Sequence, residues 1–250
     1  MAATTRIHAR DTAVYIDEFD FNAVLVSAEI TIDNDLGEVT AFNDTDATFV
    51  EGKAGVTASL AGLWSLTSPS FDPQMFTDIV TPQQVGIYPR GVATDALRGF
   101  EFEGVLTEQP RGSTTDSAIS LNLTYEGKNN LVRTYVMDKD TSLSASGNTS
   151  AIQVGAVSAT QEIYGVIRAF SVSGGPGTLD IVIASDDVEG FGGTPETQLT
   201  FTQLSAVGEE VKFSGAGAIT DDWWRVEYTV AGGGTWSVLV TLGIRTATIA

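Results

Sequence analysis

The sequence predicts a mainly β protein of antiparallel strands with one short helix, and three observations carry this. Apolar and polar residues alternate with the two-residue period of a pleated strand over Val24–Ile32, Val56–Trp64 and Ile119–Tyr125. Clusters of Gly, Pro, Asn, Asp and Ser separate nearly every such run from the next. Only one stretch carries helix signals at both ends.

Taken in order, residues 1–19 begin polar and turn extended near Ala13–Ile16, as a docking arm or a frayed end would. In the next strand Val24, Val26, Ala28, Ile30 and Ile32 share one face, expected to be buried. Leu25, Ser27, Glu29, Thr31 and Asp33 share the other. The pattern returns at Val56, Ala58, Leu60, Gly62 and Trp64 after a polar, acidic loop over Asp33–Gly52, longer than connections usually are. Asp72 then stands as an N-cap before Pro73 at the first helical position. Met75, Phe76, Ile79 and Val80 supply an apolar face, and Thr81-Pro82 ends the helix.

Strands are predicted at Val85–Tyr88, at Phe100–Leu106 (Phe100, Phe102, Gly104 and Leu106 against Glu101, Glu103 and Val105), at Ala118–Tyr125 and at Leu131–Met137. The small, uncharged run Thr141–Thr149 reads as a linker. It divides the chain into a first β domain, residues 1–145, and a C-terminal β-sandwich domain, residues 150–250. In the second block, strands at Ile163–Val172, Thr178–Ala184, Gln198–Gln203, Val211–Phe213, Trp223–Val230 and Trp236–Ile244 are separated by turns at Ser173–Gly177, Gly190–Thr194 and Gly232–Gly234. That spacing is the rhythm of a small sandwich or jelly roll.

Composition narrows the function. The chain has 13 Lys+Arg against 32 Asp+Glu, a net charge of −19, and neither half is neutral: residues 1–150 hold 9 basic and 21 acidic groups, residues 151–250 hold 4 and 11. Such a chain repels phosphate backbones, and no basic stripe or aromatic platform offsets this, so specific nucleic-acid binding is not expected. Only four residues are Lys (Lys53, Lys128, Lys139, Lys212), and Asp outnumbers Glu by 18 to 14. Strong brine would screen the self-repulsion, and an acidic mesophilic surface reads equally well. With no Cys, no disulfide, thiolate metal site or Cys nucleophile exists. The first residues lack a signal peptide's apolar core and no apolar run approaches eighteen residues, so a soluble product of the cytoplasm, not a membrane protein, is expected.

Catalytic constellations are hard to assemble from these residues. The single histidine, His8, lies in the polar N-terminus, which leaves no Ser-His-Asp triad or multi-His site within one chain. Asp33-Asn34-Asp35-Leu36-Gly37-Glu38 fails as an EF-hand loop, with Gly37 at position five and Asp44 at position twelve. It reads as a solvated acidic turn. Asp186-Asp187 with Glu189, and Asp221-Asp222, read as turn residues rather than paired catalytic carboxylates. The Gly-rich runs lack the Lys and helix of a phosphate loop. No enzyme, cofactor or metal is expected. Trp223 and Trp224 alternate faces, so at most one enters a core, and Arg225 is placed to pair with Glu227 or with a neighbour's acid. Trp223, Trp224, Arg225 and Trp236 are therefore candidates for packing or interface contacts.

The segment Asp20–Trp64 resembles the N-terminal part of the major tail tube proteins of long-tailed viruses. The residues carrying it are the opening strand, then Glu38-Val39-Thr40-Ala41-Phe42-Asn43-Asp44, then Phe49-Val50-Glu51-Gly52-Lys53 leading into the strand that ends at Trp64. A second stretch, Gly177–Ile183 with Leu199-Thr200-Phe201, Asp221–Val226, Gly232–Gly234 and Val238–Val240, is similar to C-terminal β-domains of some viral tail and structural proteins.

The first resemblance implies a tail-tube-type antiparallel sandwich or barrel in a virion protein made in the host cytoplasm, the host being halophilic on the brine reading. It implies homo-oligomeric, commonly hexameric, rings that stack into a tube, contact other tail proteins and let DNA pass without specific binding. Asp33, Asp35, Glu38, Asp44, Asp46 and Glu51 would then lie in a ring-stacking or lumen loop. The alternative is a virion-surface sandwich that binds carbohydrate or a receptor through Trp223, Trp224 or Trp236.

Overall fold

The computed structural model describes residues 11–38, 49–63, 81–109, 111–112, 119–128, 131–175, 177–215 and 217–246, with only the backbone at residues 34–38, 49–54 and 111–112. The predicted helix at residues 72–81 falls almost wholly outside these residues, as do His8, Asp44 and Asp46.

The described residues form strands β1 (Ala13–Ile16), β2 (Phe19–Asp20), β3 (Leu25–Glu38), β4 (Phe49–Leu63), β5 (Gln83–Tyr88) and β6 (Arg98–Glu108). These are followed by β7 (Arg111–Gly112), β8 (Ser120–Gly127), β9 (Val132–Leu143), β10 (Gly147–Asn148), β11 (Ile152–Gln153) and β12 (Gln161–Ser173). The last five are β13 (Thr178–Asp186), β14 (Glu196–Thr200), β15 (Gly208–Phe213), β16 (Trp223–Ala231) and β17 (Thr235–Thr246). The predicted mainly β, antiparallel class is the observed one.

The chain divides into two compact units, and neither is a continuous stretch. The larger comprises Met1–Asp20, Gly86–Glu101 and Val132–Ala250, the smaller Phe21–Val85 and Phe102–Leu131. A cut at residue 145 does not describe this division. β9 runs from Val132 through Thr141 to Leu143 and pairs with β17 from Trp236↔Leu143 to Gly243↔Thr134, so the ladder joins both sides of the expected boundary. The supposed linker is partly strand, because Gly147 and Asn148 pair with Tyr228 and Glu227.

In the larger unit two sheets face each other across an apolar core. One carries β15-β12-β17-β9 in that order, continuing through the first residues of β6, the last of β5, and β1 and β2. The other runs β10-β16-β13-β14, with β11 beside β16. Between them Ile163, Ile167 and Ala169 of β12 and Trp236, Val238, Val240 and Leu242 of β17 meet Leu179, Ile181 and Ile183 of β13 and Trp224, Val226 and Tyr228 of β16. Each fully buried aliphatic or aromatic side chain there contributes about 1.5–3 kcal/mol.

The opposite face of β12 and β17 is covered as well. Ala13, Tyr15, Tyr88, Val92, Val136 and Leu239 form a second cluster, with Phe170 packed against it. Burial on both faces explains why β12 reads as a continuous apolar run rather than an alternating one.

In the smaller unit β3 pairs with β4, β4 with β8, and β8 with β7 and with the later residues of β6. Val56, Ala58 and Leu60 of β4, Leu121, Leu123 and Tyr125 of β8, and Phe102 and Leu106 of β6 are buried, as their alternation predicts. The Tyr125 hydroxyl donates to Gln83 Oε1 at 3.0 Å, which satisfies both buried polar groups. Ile119, expected to point inward, is exposed because β8 begins one residue after it.

Candidate functional site

The feature that sets the smaller unit apart is the outer edge of β3. Fourteen residues long, β3 pairs with no strand but β4 among the described residues, so its other edge carries no strand among them. Its register with β4 runs from Leu25↔Gly62 to Glu38↔Phe49. The hairpin therefore extends through Asp33–Glu38 and Phe49–Gly52, which the sequence assigned to a long loop. Pairing such as Leu36↔Glu51 and Gly37↔Val50 outweighs the poor strand preference of Asp, Asn and Gly.

A bulge at Val26 resets which β3 side chains face inward. Leu25 lies opposite Gly62 and Ser27 opposite Ala61, so one residue of β3 is extra. Gly62 makes the bulge feasible: a Cβ there would stand 2.3 Å from the Val24 carbonyl oxygen and 2.9 Å from the Leu25 Cα. The expected single apolar face of Val24 to Ile32 is thus broken. Leu25 rather than Val26 stands opposite Gly62, and Val26 is 73% exposed.

Beyond the bulge, Ala28, Ile30 and Ile32 stand opposite Leu60, Ala58 and Val56. Yet Ile32 is 57% exposed where its partner Val56 is buried. Ala28 and Ile30 are half-buried. A covered inner strand thus lies beside an uncovered outer one. Long open edges of this kind template pairing with another chain, and proteins usually blunt them with charge or proline. Here, among the residues of β3 whose side chains are described, Glu29, between Val26 and Ile32, and Asp33, next after Ile32, are the charged exposed ones.

Of the six acidic candidates, Asp33 is exposed and lies opposite Gly55, while the backbone places Asp35, Glu38 and Glu51 in the distal half of the hairpin. Among the C-terminal candidates Trp224 is fully buried, its Nε1 donating to the Gly155 carbonyl at 3.1 Å, and Trp236 is equally buried. Trp223, on the other face of β16, is half-buried. Arg225 donates to Glu227 at 2.6 Å and lies 4.0 Å over the Phe191 ring. Two of the three tryptophans are therefore unavailable as a sugar-stacking platform.

The adjacent carboxylates shape turns. Asp186 accepts from the backbone N–H groups of Val188 and Gly193, each at 3.2 Å, and so closes the loop between β13 and β14. Asp221 accepts from the Ser185 hydroxyl at 2.6 Å, and Ser185 accepts from Gln198 at 2.9 Å. Among the described residues no group of three or more His, Asp or Glu side chains is arranged to hold a metal ion. No helix among them is long and apolar enough to cross a membrane.

A buried charged cluster in the larger unit is not predicted by the sequence patterns. Arg168 and Glu101 are wholly buried and joined by two bonds, Nη1 to Oε1 and Nη2 to Oε2, each 2.8 Å. Arg168 Nε donates to the Asp17 carbonyl at 2.8 Å. Tyr88 and Thr241 donate their hydroxyls to the same Glu101 oxygen, Thr241 at 3.2 Å. Burial, then the Glu101 charge, pushes the Tyr88 phenol up, and it stays neutral. The available signal was a lone Arg in the apolar run Ile163–Val172 and a lone Glu between Phe100 and Phe102.

No family model matches this chain, and no curated protein sequence does. Among solved structures, the virion of a native gene transfer agent particle is similar over 50% of this chain and 95% of its own, at 16% identity and a TM-score of 0.37. The tube-terminating cap of the anti-feeding prophage is similar over 53% and 93%, at 12% identity and a TM-score of 0.43. The Dit protein of phage SPP1, described as a hub of the adsorption apparatus, is similar over 94% and 99%, at 7% identity and a TM-score of 0.39.

Proposed function

We propose that this chain is a structural subunit of a long-tailed virus's tail, a tube subunit whose copies pair through the open edge of β3. The observation that carries the reading is the contrast within one hairpin. β4 buries Val56, Ala58 and Leu60, whereas β3 leaves Val26 and Ile32 in solvent and one whole edge without a strand partner among the described residues. A closed ring of copies removes such an edge, and closed cyclic symmetry is common among homo-oligomers. Of the stretch Asp20–Trp64 that resembles tail tube proteins, the described residues Leu25–Glu38 and Phe49–Leu63 build this hairpin. A lumen lined by part of the chain's 32 carboxylates would repel DNA phosphates, which suits a conduit.

The test is assembly of the purified full chain, followed by light scattering and negative-stain microscopy across a series of salt concentrations. Rings or tubes are expected. They should grow with salt, because a net charge of −19 opposes close approach until screening shortens its reach to about 8 Å near physiological ionic strength. A chain that stays monomeric at high concentration in every salt overturns the proposal.

A further inference from the structure

In a chain with 13 basic and 32 acidic residues a cation is expected to meet an acid. Among the described residues Lys128 pairs with Glu103, Arg168 with Glu101, Lys212 with Glu210, Arg225 with Glu227 and Arg245 with Glu162. Arg98 and Arg133 differ. Neither has a carboxylate within salt-bridge distance among the described residues, and the ladder between β6 and β9 brings them together in the larger unit. Arg98 stands opposite Tyr135, and Phe100 opposite Arg133. Opposite residues of an antiparallel pair share a face, as do residues two apart on one strand, so these four side chains form one patch. Arg98 and Arg133 are exposed, Phe100 and Tyr135 half-buried, and Gly99 and Thr134 between them are buried on the opposite face. Arg98 Nη2 donates to the Tyr135 hydroxyl at 3.0 Å, and its guanidinium lies 5.0 Å from the centre of that ring. Tyr135 in turn packs against the core between the two sheets. The phenol fixes the guanidinium in place without cancelling its charge.

On the tube-subunit reading, on which this step rests, we propose that the Arg98–Phe100–Arg133–Tyr135 patch is the surface that receives the acidic strand β3 of a neighbouring copy. A closed ring of more than two copies is built head to tail, so the surface that meets β3 differs from β3 itself. β3 has no basic residue along its length, and its exposed Glu29 and Asp33 lie on one face, opposite Ser59 and Gly55 of β4. Neither of these carboxylates has a basic partner among the described residues. Each side of the contact thus carries the charge that the other lacks.

Charge also gives the contact its direction. Patch against patch would crowd guanidiniums together, and β3 against β3 would crowd carboxylates, whereas patch against β3 joins opposite signs. The residue types suit the task. Arginine's planar fork accepts a carboxylate through two parallel bonds, and Arg, Tyr and Phe are the side chains that interfaces concentrate.

Two charge-reversed full chains test this by mixing. The first carries Arg98→Glu with Arg133→Glu, the second Glu29→Arg with Asp33→Arg, and light scattering and sedimentation follow their association in the salt at which the wild type assembles. Alone, each should need a concentration about thirtyfold or more above the wild type's to associate, the usual order of effect for a mispaired interfacial charge. An equimolar mixture should associate again: the reversed patch of the first chain meets the reversed strand of the second, and the unchanged patch of the second meets the unchanged strand of the first. A patch variant that assembles as the wild type does, or a mixture that stays apart, overturns this interface and leaves the ring standing. A patch variant that still assembles but loses binding to a short DNA duplex assigns the arginines to phosphate and overturns it equally. A wild type that stays monomeric overturns the ring and this interface with it. Should a reversed chain lose its fold by circular dichroism, carbodiimide cross-linking of Arg133→Lys in a mixture of isotope-labelled and unlabelled chains decides. An amide from position 133 of one chain to Glu29 or Asp33 of another supports the interface, and its absence from assembled material overturns it.

Discussion

Arg168 and Glu101 stand 67 residues apart in sequence and meet in a two-pronged ion pair with both side chains fully out of solvent. Desolvating two ions is costly enough that such a pair is weak evidence of net stabilisation, but removing one partner strands the other charge. Glu101→Gln should accordingly lose about 3–5 kcal/mol in denaturant unfolding. The joint replacement Glu101→Leu with Arg168→Met should recover most of that loss. A single variant with the stability of the wild type would show that the pair carries no buried charge.

The edge of β3 that has no strand partner among the described residues makes an opposite prediction. Val26 and Ile32 are exposed in the single chain, so Val26→Lys and Ile32→Lys should change its unfolding free energy by no more than about 0.5 kcal/mol. Edge lysines are how proteins refuse strand pairing, and the same variants should lose rings and tubes in negative stain. Assembly that survives both substitutions would move the interface elsewhere.

Gly62 lies where the β3 bulge passes closest to β4. The Cβ of Gly62→Ala would meet backbone atoms, which cannot turn aside as a flexible side chain would. Destabilisation of about 1–3 kcal/mol, the usual cost of overpacking, is expected from thermal or denaturant unfolding. A neutral Gly62→Ala would mean that the bulge relaxes.

How much of this could be read from the sequence depends on how local each determinant is. Leu121, Leu123 and Tyr125, or Val56, Ala58 and Leu60, declare their inward faces by alternation alone, and Gly232-Gly233 declares its turn by needing positive φ at both residues. The phase change at Val26 was hidden, because it depends on Gly62 in the partner strand. So was the strand character of Asp33–Glu38, which pairing with Phe49–Gly55 imposes on residues of low strand propensity. The division at residue 145 failed for a related reason: the run Thr141–Thr149 has a linker's composition, but β17 arrives about one hundred residues later to pair with what precedes it. Glu101 looked like the polar side of an alternating strand, and only the fold supplies Arg168.

The two buried tryptophans differ in one hydrogen bond. Trp224 Nε1 donates to the Gly155 carbonyl, whereas Trp236 Nε1 is buried without a partner among the described residues. Both Phe replacements lose packing, but only Trp224→Phe also breaks a bond and strands a carbonyl. Trp224→Phe should therefore be the more destabilising by about 1 kcal/mol. Equal losses in parallel denaturation curves would place a donor-accepting group beside Trp236.

Lys139 sits 3.8 Å over the Phe170 ring and 5.9 Å from that of Tyr15. Burial lowers its amine to about 8, with Asp20, Asp138 and Asp140 acting in the opposite direction. Because the folded value is depressed below the ordinary lysine value of about 10.4, the unfolded chain binds more protons between the two. This group's contribution to stability should then rise with pH from about 8 upward and be unfavourable below it. Direct titration of the lysine side-chain signals by NMR should find one of the chain's four lysines with a midpoint near 8, absent in Lys139→Met. Four lysines titrating together near their ordinary value would show that the ring-stacked amine stays hydrated.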